Sequence, residues 1–300
     1  MRTSRMLRAG IGAMVAVAAL VVTTAVPAGA ITGDYVKDTE HPFVGLVVFY
    51  DDKGAFHHRC SGALLTPTVF LTAGHCTAGA SSARVYFQQD AGANWSPETG
   101  KDDPITGYPN TCAGETEGTL CATSSELHDY GFEGLDAVPE TRDAGLVILA
   151  QPIELGEYAS LAAAGTLDAL AARRGQQETT FTASGYGVSE VNPVSTTSFR
   201  ERLMAESRLT NLTSSSNDGY NVQTNGNGKD RGGTCTADSG GPLFYGPFTS
   251  NTITGITSFG HNRYCKGTGF SYRTDRQEVI DWITSVAGDE KITVVPLPTG

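Results

Sequence analysis

The chain has 300 residues, enough for one large domain or two small ones. Hydrophobic residues make up 39% of it and charged residues 18%, so it can bury a core and is not wholly disordered. Its 36 glycines and 13 prolines exclude a coiled coil, and the lack of long apolar spans beyond the N-terminus excludes a multispan membrane protein. The formal net charge of −11 argues against a nucleic-acid-binding domain.

Residues 1–30 have the three parts of a secretory signal peptide. Met1–Arg8 carries three arginines and no acid, Ala9–Val26 is apolar, and Ala28–Ala30 offers a small-residue cleavage site. The alternative is an uncleaved membrane anchor, which this cleavage site and the threonines within the apolar run disfavour. Cleavage there removes the three arginines and takes the formal net charge to −14. We therefore expect a secreted, acidic, extracellular protein.

Export makes the number of cysteines informative. An even number in an exported chain favours disulfides, and six cysteines allow fifteen pairings. Zinc is the competing interpretation, but the sequence has neither a C-x-x-C nor an H-E-x-x-H element. We expect no metal and no cofactor. The cysteines are Cys60, Cys76, Cys112, Cys121, Cys235 and Cys265.

Short β-rich runs separated by turn residues dominate the chain after the signal segment. Their length and their Gly-, Asn- and Ser-rich punctuation predict an all-β barrel or sandwich. Two segments rich in small polar residues, 88–140 and 211–234, are predicted to be long loops. The predicted strands are Val44–Tyr50, Val69–Thr72, Ala83–Phe87, Leu146–Leu149, Phe181–Ser184 and Thr252–Thr257.

One helix is predicted near the C-terminus, over residues 275–287. Asp275 is its predicted cap and Glu278 the capping-box partner, and apolar residues then recur at helical spacing. Gly288 can end it. Residues 161–174 are rich in Ala and Leu, but their periodicity is weak and leaves helix and loop open.

Three short motifs carry residues that can act together in catalysis: Thr-Ala-Gly-His75-Cys, Arg-Asp143-Ala-Gly and Asp-Ser239-Gly-Gly-Pro. Taken singly, the histidine could be structural, the aspartate could cap a turn, and the serine could be an ordinary turn residue. Taken together, they supply a nucleophile, a base with a pKa near neutrality, and a carboxylate that orients the base.

The order His75, Asp143, Ser239 is that of the chymotrypsin type rather than that of subtilisins or α/β-hydrolases. The G-x-S-x-G elbow of the latter also fails, because Ala237 stands at its first glycine. Over most of residues 31–287 the sequence resembles the chymotrypsin/trypsin-like serine protease family, in its secreted bacterial form. The resemblance implies an all-β fold of two packed six-stranded antiparallel β-barrels, with the catalytic groups in the cleft between them.

The resemblance also implies how the chain is activated and cross-linked. Ile31 begins a segment like the mature family N-terminus, and its freed amine would pair with Asp238 beside the nucleophile. Signal peptidase would then both export and activate the chain. Two family bridges correspond to Cys60–Cys76 and Cys235–Cys265, which leaves Cys112–Cys121.

The resemblance places the oxyanion hole at the backbone N–H groups of Ala237 and Ser239. The family has glycine at the first position, so a positive φ would cost alanine about 1–2 kcal/mol. The alternative is a flipped peptide, which loses one donor and about 10²–10³-fold in rate. The substrate pocket would have Gly233 at its floor, with Asp230 too early for trypsin specificity. The substrate-binding residues are Gly233, Thr234, Ser258, Phe259, Gly260 and Gly269.

These expectations divide the chain into barrel one over about 31–155, barrel two over about 156–274, the helix, and an extended tail over 288–300. The expected function is a serine endopeptidase acting on polypeptides, with protein protease inhibitors as further partners. We expect a monomer that binds neither nucleic acid nor, once the signal is removed, membrane. Two rivals remain open: a catalytically weak homologue acting as a binding module, and an esterase without useful peptidase activity.

Overall fold

Two antiparallel sheets account for most of the described chain, which comprises residues 31–94, 112, 120–171 and 178–297 of a computed structural model. The predicted signal peptide lies outside these residues. The first nine strands are β1 (Thr32–Gly33), β2 (Val36–Lys37), β3 (Val44–Tyr50), β4 (Phe56–Leu64), β5 (Val69–Thr72), β6 (Ser82–Tyr86), β7 (Cys121–Ser124), β8 (Glu126–Asp129) and β9 (Gly145–Ile148).

The second half of the chain continues this pattern. The remaining strands are β10 (Ser160–Ala162), β11 (Thr180–Gly185), β12 (Glu190–Asn192), β13 (Ser195–Thr197), β14 (Leu203–Asn211), β15 (Asn221–Asn225), β16 (Gly232–Gly233), β17 (Pro242–Tyr245), β18 (Thr252–Gly260), β19 (Thr268–Arg273) and β20 (Val294–Val295). The α-helices are α1 (Gly74–Thr77), α2 (Thr166–Ala171) and α3 (Gln277–Ala287).

The first barrel has the strand order β7-β6-β3-β4-β5-β9-β8. Only Ser125 separates β7 from β8, so one bent strand pairs at both ends of the sheet and closes it as a six-stranded barrel. The hydroxyl of Ser124 holds this bend: it donates to the carbonyl of Ile148 at 2.6 Å and accepts the N–H of Glu126 at 3.0 Å.

The second barrel is a ring of six strands, β17-β11-β14-β15-β19-β18, closed by the pairing of β17 with β18. Strand β10 adds to β18 in parallel and β20 adds to β10, also in parallel. Strand β2 from the start of the described chain joins it by pairing with β14, while β1 pairs with β16 in a separate two-stranded sheet. Both strands therefore precede barrel one in the chain but pair with segments from its second half.

The expected fold class of two barrels with a C-terminal helix is confirmed. Strands β3 and β5 have the predicted bounds, and every residue of both is buried. Continuous burial explains why these strands appear in the sequence as unbroken apolar runs rather than as an alternation.

The predicted capping box of helix α3 is wrong. The N-cap is Arg276, with no capping hydrogen bond from its side chain, although Gly288 does follow the last helical residue. The Asp275 carboxylate instead forms two 2.8 Å bonds with the Arg273 guanidinium and accepts the N–H of Leu167 at 2.7 Å. Removing the counter-charge of a buried cation costs more free energy than leaving a helix end without a side-chain cap, because water can hydrogen-bond to an exposed helix end.

The segment 161–174, which the sequence left open, begins in β10 and forms the short helix α2. The tail expected to be extended contributes β20, which covers β10. No helix within the described part of the chain is long and apolar enough to cross a membrane.

We expect Asp275→Ala to destabilise the protein by about 3 kcal/mol, because it removes the buried partner of the Arg273 guanidinium and leaves that cation only its pair with the largely exposed Asp168. Urea unfolding measures this loss. The matched control is Glu278→Ala, which removes a half-exposed pair with Arg276 from the same region. The control should cost less than about 1 kcal/mol. Equal losses in the two variants would contradict the assignment.

Candidate active site

His75 lies at the end of β5, in the first turn of α1. The Cys60–Cys76 disulfide anchors the residue that follows it, and His58 Nε2 lies 2.8 Å from the Cys76 carbonyl. The backbone on both sides of the imidazole is therefore fixed. About a quarter of the His75 side chain is exposed, so a substrate can reach the ring.

The Asp143 carboxylate orients this imidazole. This carboxylate is fully buried, lies 2.9 Å from Nδ1 of His75 and accepts the backbone N–H of the same residue at 2.8 Å. The Ser258 hydroxyl donates a third hydrogen bond to it from β18 of barrel two. Three donors compensate for the lost hydration of the carboxylate, which is what burial of an ionised group requires.

These contacts determine the protonation of His75. Burial alone lowers the pKa of the imidazole, but the hydrogen bond to Asp143 and the negative charge of that carboxylate outweigh it and raise the pKa above 6.5. A carboxylate next to Nδ1 also requires the proton to be on that nitrogen in the neutral ring. The Nε2 lone pair is then free to accept a proton in the cleft.

Ser239 lies in a loop held between the two barrels. Its carbonyl accepts the N–H of Ser61 from barrel one at 2.8 Å, and Gly240 N–H donates to Thr257 of barrel two at 2.8 Å. Gly240 has a φ of +80°, and a Cβ there would overlap Thr72 at the end of β5. The loop thus packs against the strand end that carries His75, which brings serine and histidine to the same part of the cleft.

Ala237 adopts the left-handed conformation, with a φ of +71°. An L-residue pays about 1–2 kcal/mol for this. The carbonyl of Thr236 accepts the N–H of Val188 at 2.8 Å. Because a peptide is planar and trans, the Ala237 N–H points to the opposite side. Among the described residues, neither this N–H nor that of Ser239 has a hydrogen-bond acceptor.

Asp238 is fully buried directly behind this loop. Its carboxylate accepts the N–H of Gly187 at 2.8 Å and that of Cys235 at 2.9 Å, and a Cβ on Gly185 or Gly187 would overlap it. Burial raises its pKa to about 7, against the lowering effect of these two bonds and of the positive charge of Arg59.

The pair expected between the Ile31 amine and Asp238 requires cleavage after Ala30, and it stays a prediction. Ile31 is bonded to a preceding residue and has no free amine, although its side chain is fully buried in barrel two.

A cavity of about 320 Å³ opens beside Ser239. Every residue that the sequence assigned to substrate binding lines it: Gly233, Thr234, Ser258, Phe259, Gly260 and Gly269. Its described lining contains no carboxylate, and its single charged residue is Arg263. Asp230 lies outside it. Sequence reasoning missed Thr224, whose hydroxyl lies 3.9 Å from a Cβ built on Gly269.

Three disulfides are present: Cys60–Cys76, Cys112–Cys121 and Cys235–Cys265. The last joins two sides of the cavity wall, with Cα atoms 5.1 Å apart. One group within the described residues has the composition of a metal site, formed by His58, Cys60 and Cys76. Because its two cysteines are bonded to each other, it offers no thiolate to a metal.

A second His–Asp pair was not anticipated from the sequence. His41 Nδ1 lies 2.9 Å from Asp38, whose carboxylate also accepts the Ser184 hydroxyl. His41 stacks on Phe244 with ring centroids 4.4 Å apart. All three polar residues are fully buried, so no substrate reaches them. This cluster is structural, whereas the partly exposed His75 faces the cleft.

A Trypsin family profile matches residues 30–283, most of the chain. The chain belongs to the trypsin family. This trypsin-family chain is 34% identical to "Trypsin zeta" of Drosophila erecta over 84 residues, covering 27% of this chain and 28% of that protein. It is 25% identical to "Proproteinase E" of Bos taurus over 113 residues, covering 38% of each. It thus spans well under half the length of these curated relatives.

Solved structures support the fold. A structure named "HL collagenase" superposes with a TM-score of 0.61 at 18% identity, covering 87% of this chain and all of that one. Human heparin binding protein gives 0.57 at 18% identity, covering 89% and 99%. A scabies mite protein described as an inactivated protease paralogue gives 0.57 at 14% identity, covering 88% and 100%. At these identities the likeness concerns the fold alone.

The geometry predicts how activity depends on pH. Because His75 must be neutral to accept a proton and its pKa is raised, kcat/KM should rise with pH through a midpoint above 6.5. Asp143→Asn should lower kcat by about 10⁴-fold, since the orienting carboxylate is lost. A pH profile of peptide hydrolysis measures both. The control is Glu126→Gln in the exposed pair with His128, which should leave the profile unchanged.

Proposed function

We propose that this trypsin-family protein is a secreted serine endopeptidase that uses His75, Asp143 and Ser239. The observation that carries the proposal is the His75–Asp143 pair, oriented by two hydrogen bonds beside a serine whose loop keeps two N–H groups free. Different contacts in the fold position the histidine–aspartate pair and the two free N–H groups. Acyl transfer requires a base, a group that orients the base, a nucleophile and oxyanion donors, and these groups would supply them.

The proposed reaction has two halves. Ser239 attacks the scissile carbonyl while Nε2 of His75 takes its proton, and the N–H groups of Ala237 and Ser239 bind the developing oxyanion. His75 then protonates the leaving amine, and an acyl-enzyme forms. Water, deprotonated by the same imidazole, attacks the ester and releases the second product. Asp143 stabilises the imidazolium in both halves.

The cavity supports a preference for large uncharged side chains at P1. With Gly233 at its floor and no carboxylate in its described lining, it gives lysine or arginine no counter-charge, and Arg263 would repel them. Phe259 and Gly260 of β18 pair with β19 on one side, while the pairing with β17 ends at Ile256. Their other edge can bind an extended substrate by main-chain hydrogen bonds.

The proposal includes export and activation in one step. Signal peptidase would cut after Ala30 and free the Ile31 amine, which would then neutralise Asp238. The three disulfides fit an oxidising, extracellular compartment. The proposed partners are polypeptide substrates and protein protease inhibitors, bound by a monomer.

A fluorophosphonate probe tests the catalytic proposal. We expect one adduct per chain on Ser239, mapped by mass spectrometry, on a secreted protein that begins at Ile31. In a peptide library, cleavage should follow large uncharged residues rather than lysine or arginine. An esterase without peptidase activity would hydrolyse an ester but not the amide of the same acyl group. Hydrolysis of both substrates would therefore exclude that alternative.

The matched controls are Ser239→Ala, which should not label, and Ser214→Ala, an analogous loop serine outside the cavity, which should label fully. No labelling of the folded wild-type chain beginning at Ile31 would refute the proposal. The binding-module alternative would then take its place.

The state of Asp238 predicts how stability depends on pH. Its folded pKa of about 7 exceeds the ordinary aspartate value of 3.8, so a chain that keeps Ala30 should bind an extra proton on folding between these values. The stability this proton provides is lost as pH rises through about 7. A free Ile31 amine would keep Asp238 ionised and abolish the loss.

Melting temperatures from pH 5 to pH 8 measure this difference. The form retaining Ala30 should lose stability across the range relative to the form beginning at Ile31. Asp238→Asn in the longer form is the control, because its neutral side chain should remove the dependence. Identical profiles for the two forms would show that the amine does not reach Asp238.

A further inference from the structure

Ser61 makes an unusual set of contacts between the barrels. It lies in β4 and is fully buried. Its hydroxyl donates to the Ala237 carbonyl at 2.9 Å and accepts the N–H of Tyr186, also at 2.9 Å. Its own N–H donates to the Ser239 carbonyl at 2.8 Å, and its carbonyl accepts the Thr72 hydroxyl at 2.8 Å. Each polar group of this serine is engaged.

Two of these bonds act on the loop that carries the candidate oxyanion donors. The Ser61 hydroxyl binds the Ala237 carbonyl, and the Ser61 N–H binds the Ser239 carbonyl. A third carbonyl of the loop, that of Thr236, accepts the N–H of Val188 in barrel two. Because a peptide is planar, the Val188 bond to the Thr236 carbonyl fixes the direction of the Ala237 N–H, and the Gly241 bond to the Asp238 carbonyl fixes that of the Ser239 N–H. The two Ser61 bonds fix the peptides that alternate with these, Ala237–Asp238 and Ser239–Gly240. Both free N–H groups lie within this restrained stretch.

The restraint matters because Ala237 is strained. A residue with a Cβ at a φ of +71° gains energy by rotating its flanking peptides back to a negative φ. That rotation would replace the free N–H with a carbonyl, the wrong dipole for an oxyanion. The bond from Val188 to the Thr236 carbonyl opposes rotation of the peptide before Ala237. The bond from the Ser61 hydroxyl to the Ala237 carbonyl opposes rotation of the peptide after it, so the two bonds together hold the backbone angles of Ala237.

We infer that Ser61 is a positioning residue, whose hydroxyl holds Ala237 in the left-handed conformation that leaves the N–H groups of Ala237 and Ser239 free for the oxyanion. This inference rests on the proposed function, since it assigns Ser61 a part in the same reaction. It acts from barrel one on a loop of barrel two, so it also couples catalysis to the contact between the barrels.

The primary test is Ser61→Ala, assayed per active site after fluorophosphonate titration. We expect kcat to fall about 10- to 100-fold with little change in KM, which corresponds to about 1.4–2.8 kcal/mol of loop restraint. Titration removes misfolded enzyme from the comparison. A loss confined to the number of titratable sites would show a merely structural role and overturn the inference.

The matched control is Ser124→Ala. That hydroxyl is also buried, and it likewise donates to a carbonyl and accepts a backbone N–H, but at the β7–β8 bend. It should lower the melting temperature without changing kcat by more than about twofold. Equal effects of the two variants on kcat would count against a specific role for Ser61.

A double-mutant cycle with Ala237→Gly tests the proposed cause. Glycine removes the strain, so the loss of the Ser61 hydroxyl should then cost at most about threefold in kcat. An undiminished effect in the glycine background would overturn the link to strain. If Ser61→Ala does not fold, Ser61→Cys, with a weaker donor of similar shape, should give an intermediate fall.

A crystal structure of the Ser61→Ala variant separates this inference from the proposed function. We expect Ala237 to leave the positive φ region and the Thr236 carbonyl to turn toward the cavity. Retention of a φ near +71° would overturn the inference whether or not the wild-type enzyme is active. A different outcome would refute only the proposed function: the wild-type chain does not react with the fluorophosphonate, but the Ala237 loop is rotated in the Ser61→Ala variant.

Discussion

The loop that carries Ser239 is hydrogen-bonded on both sides, and the rest of the site depends on this. Ser61 in barrel one and Thr257 in barrel two bind neighbouring groups of the same short segment. The two closed barrels therefore meet at the nucleophile and cannot slide past each other without breaking these bonds. His75 comes from one barrel and the cavity wall from the other, so their separation depends on this loop together with the bond from Ser258 to Asp143.

The sequence was sufficient for the residues that short motifs identify. His75, Asp143 and Ser239 each follow or precede an apolar strand, and the fold places the first two within hydrogen-bond distance of each other. Buried strands could be located because their apolar runs are continuous. The cap of α3 failed because Asp275 has a buried partner in Arg273, and propensity rules describe a helix end only in the absence of such a partner.

Other parts of the site could not be read from local patterns. Ser61 and Ala237 are 176 positions apart, and Asp38 and Ser184 are 146 apart. Nothing in the residues around Ser61 distinguishes it from other serines of the chain, because its role depends on which carbonyl the fold places next to it. The strain at Ala237 was anticipated as a cost, but the sequence had no means of indicating what offsets it.

The pairing of β20 with β10 has a consequence for association between molecules. Strand β10 joins barrel two beside the closed ring and would end in a row of unpaired backbone groups. Strand β20 occupies that row with two residues, and Pro296 follows it directly. A two-residue strand offers few backbone groups for a strand of another molecule to pair with, and proline has no N–H to donate. The tail therefore disfavours edge-to-edge aggregation. A chain cut after Gly288 would lose this protection while keeping every group of the cleft.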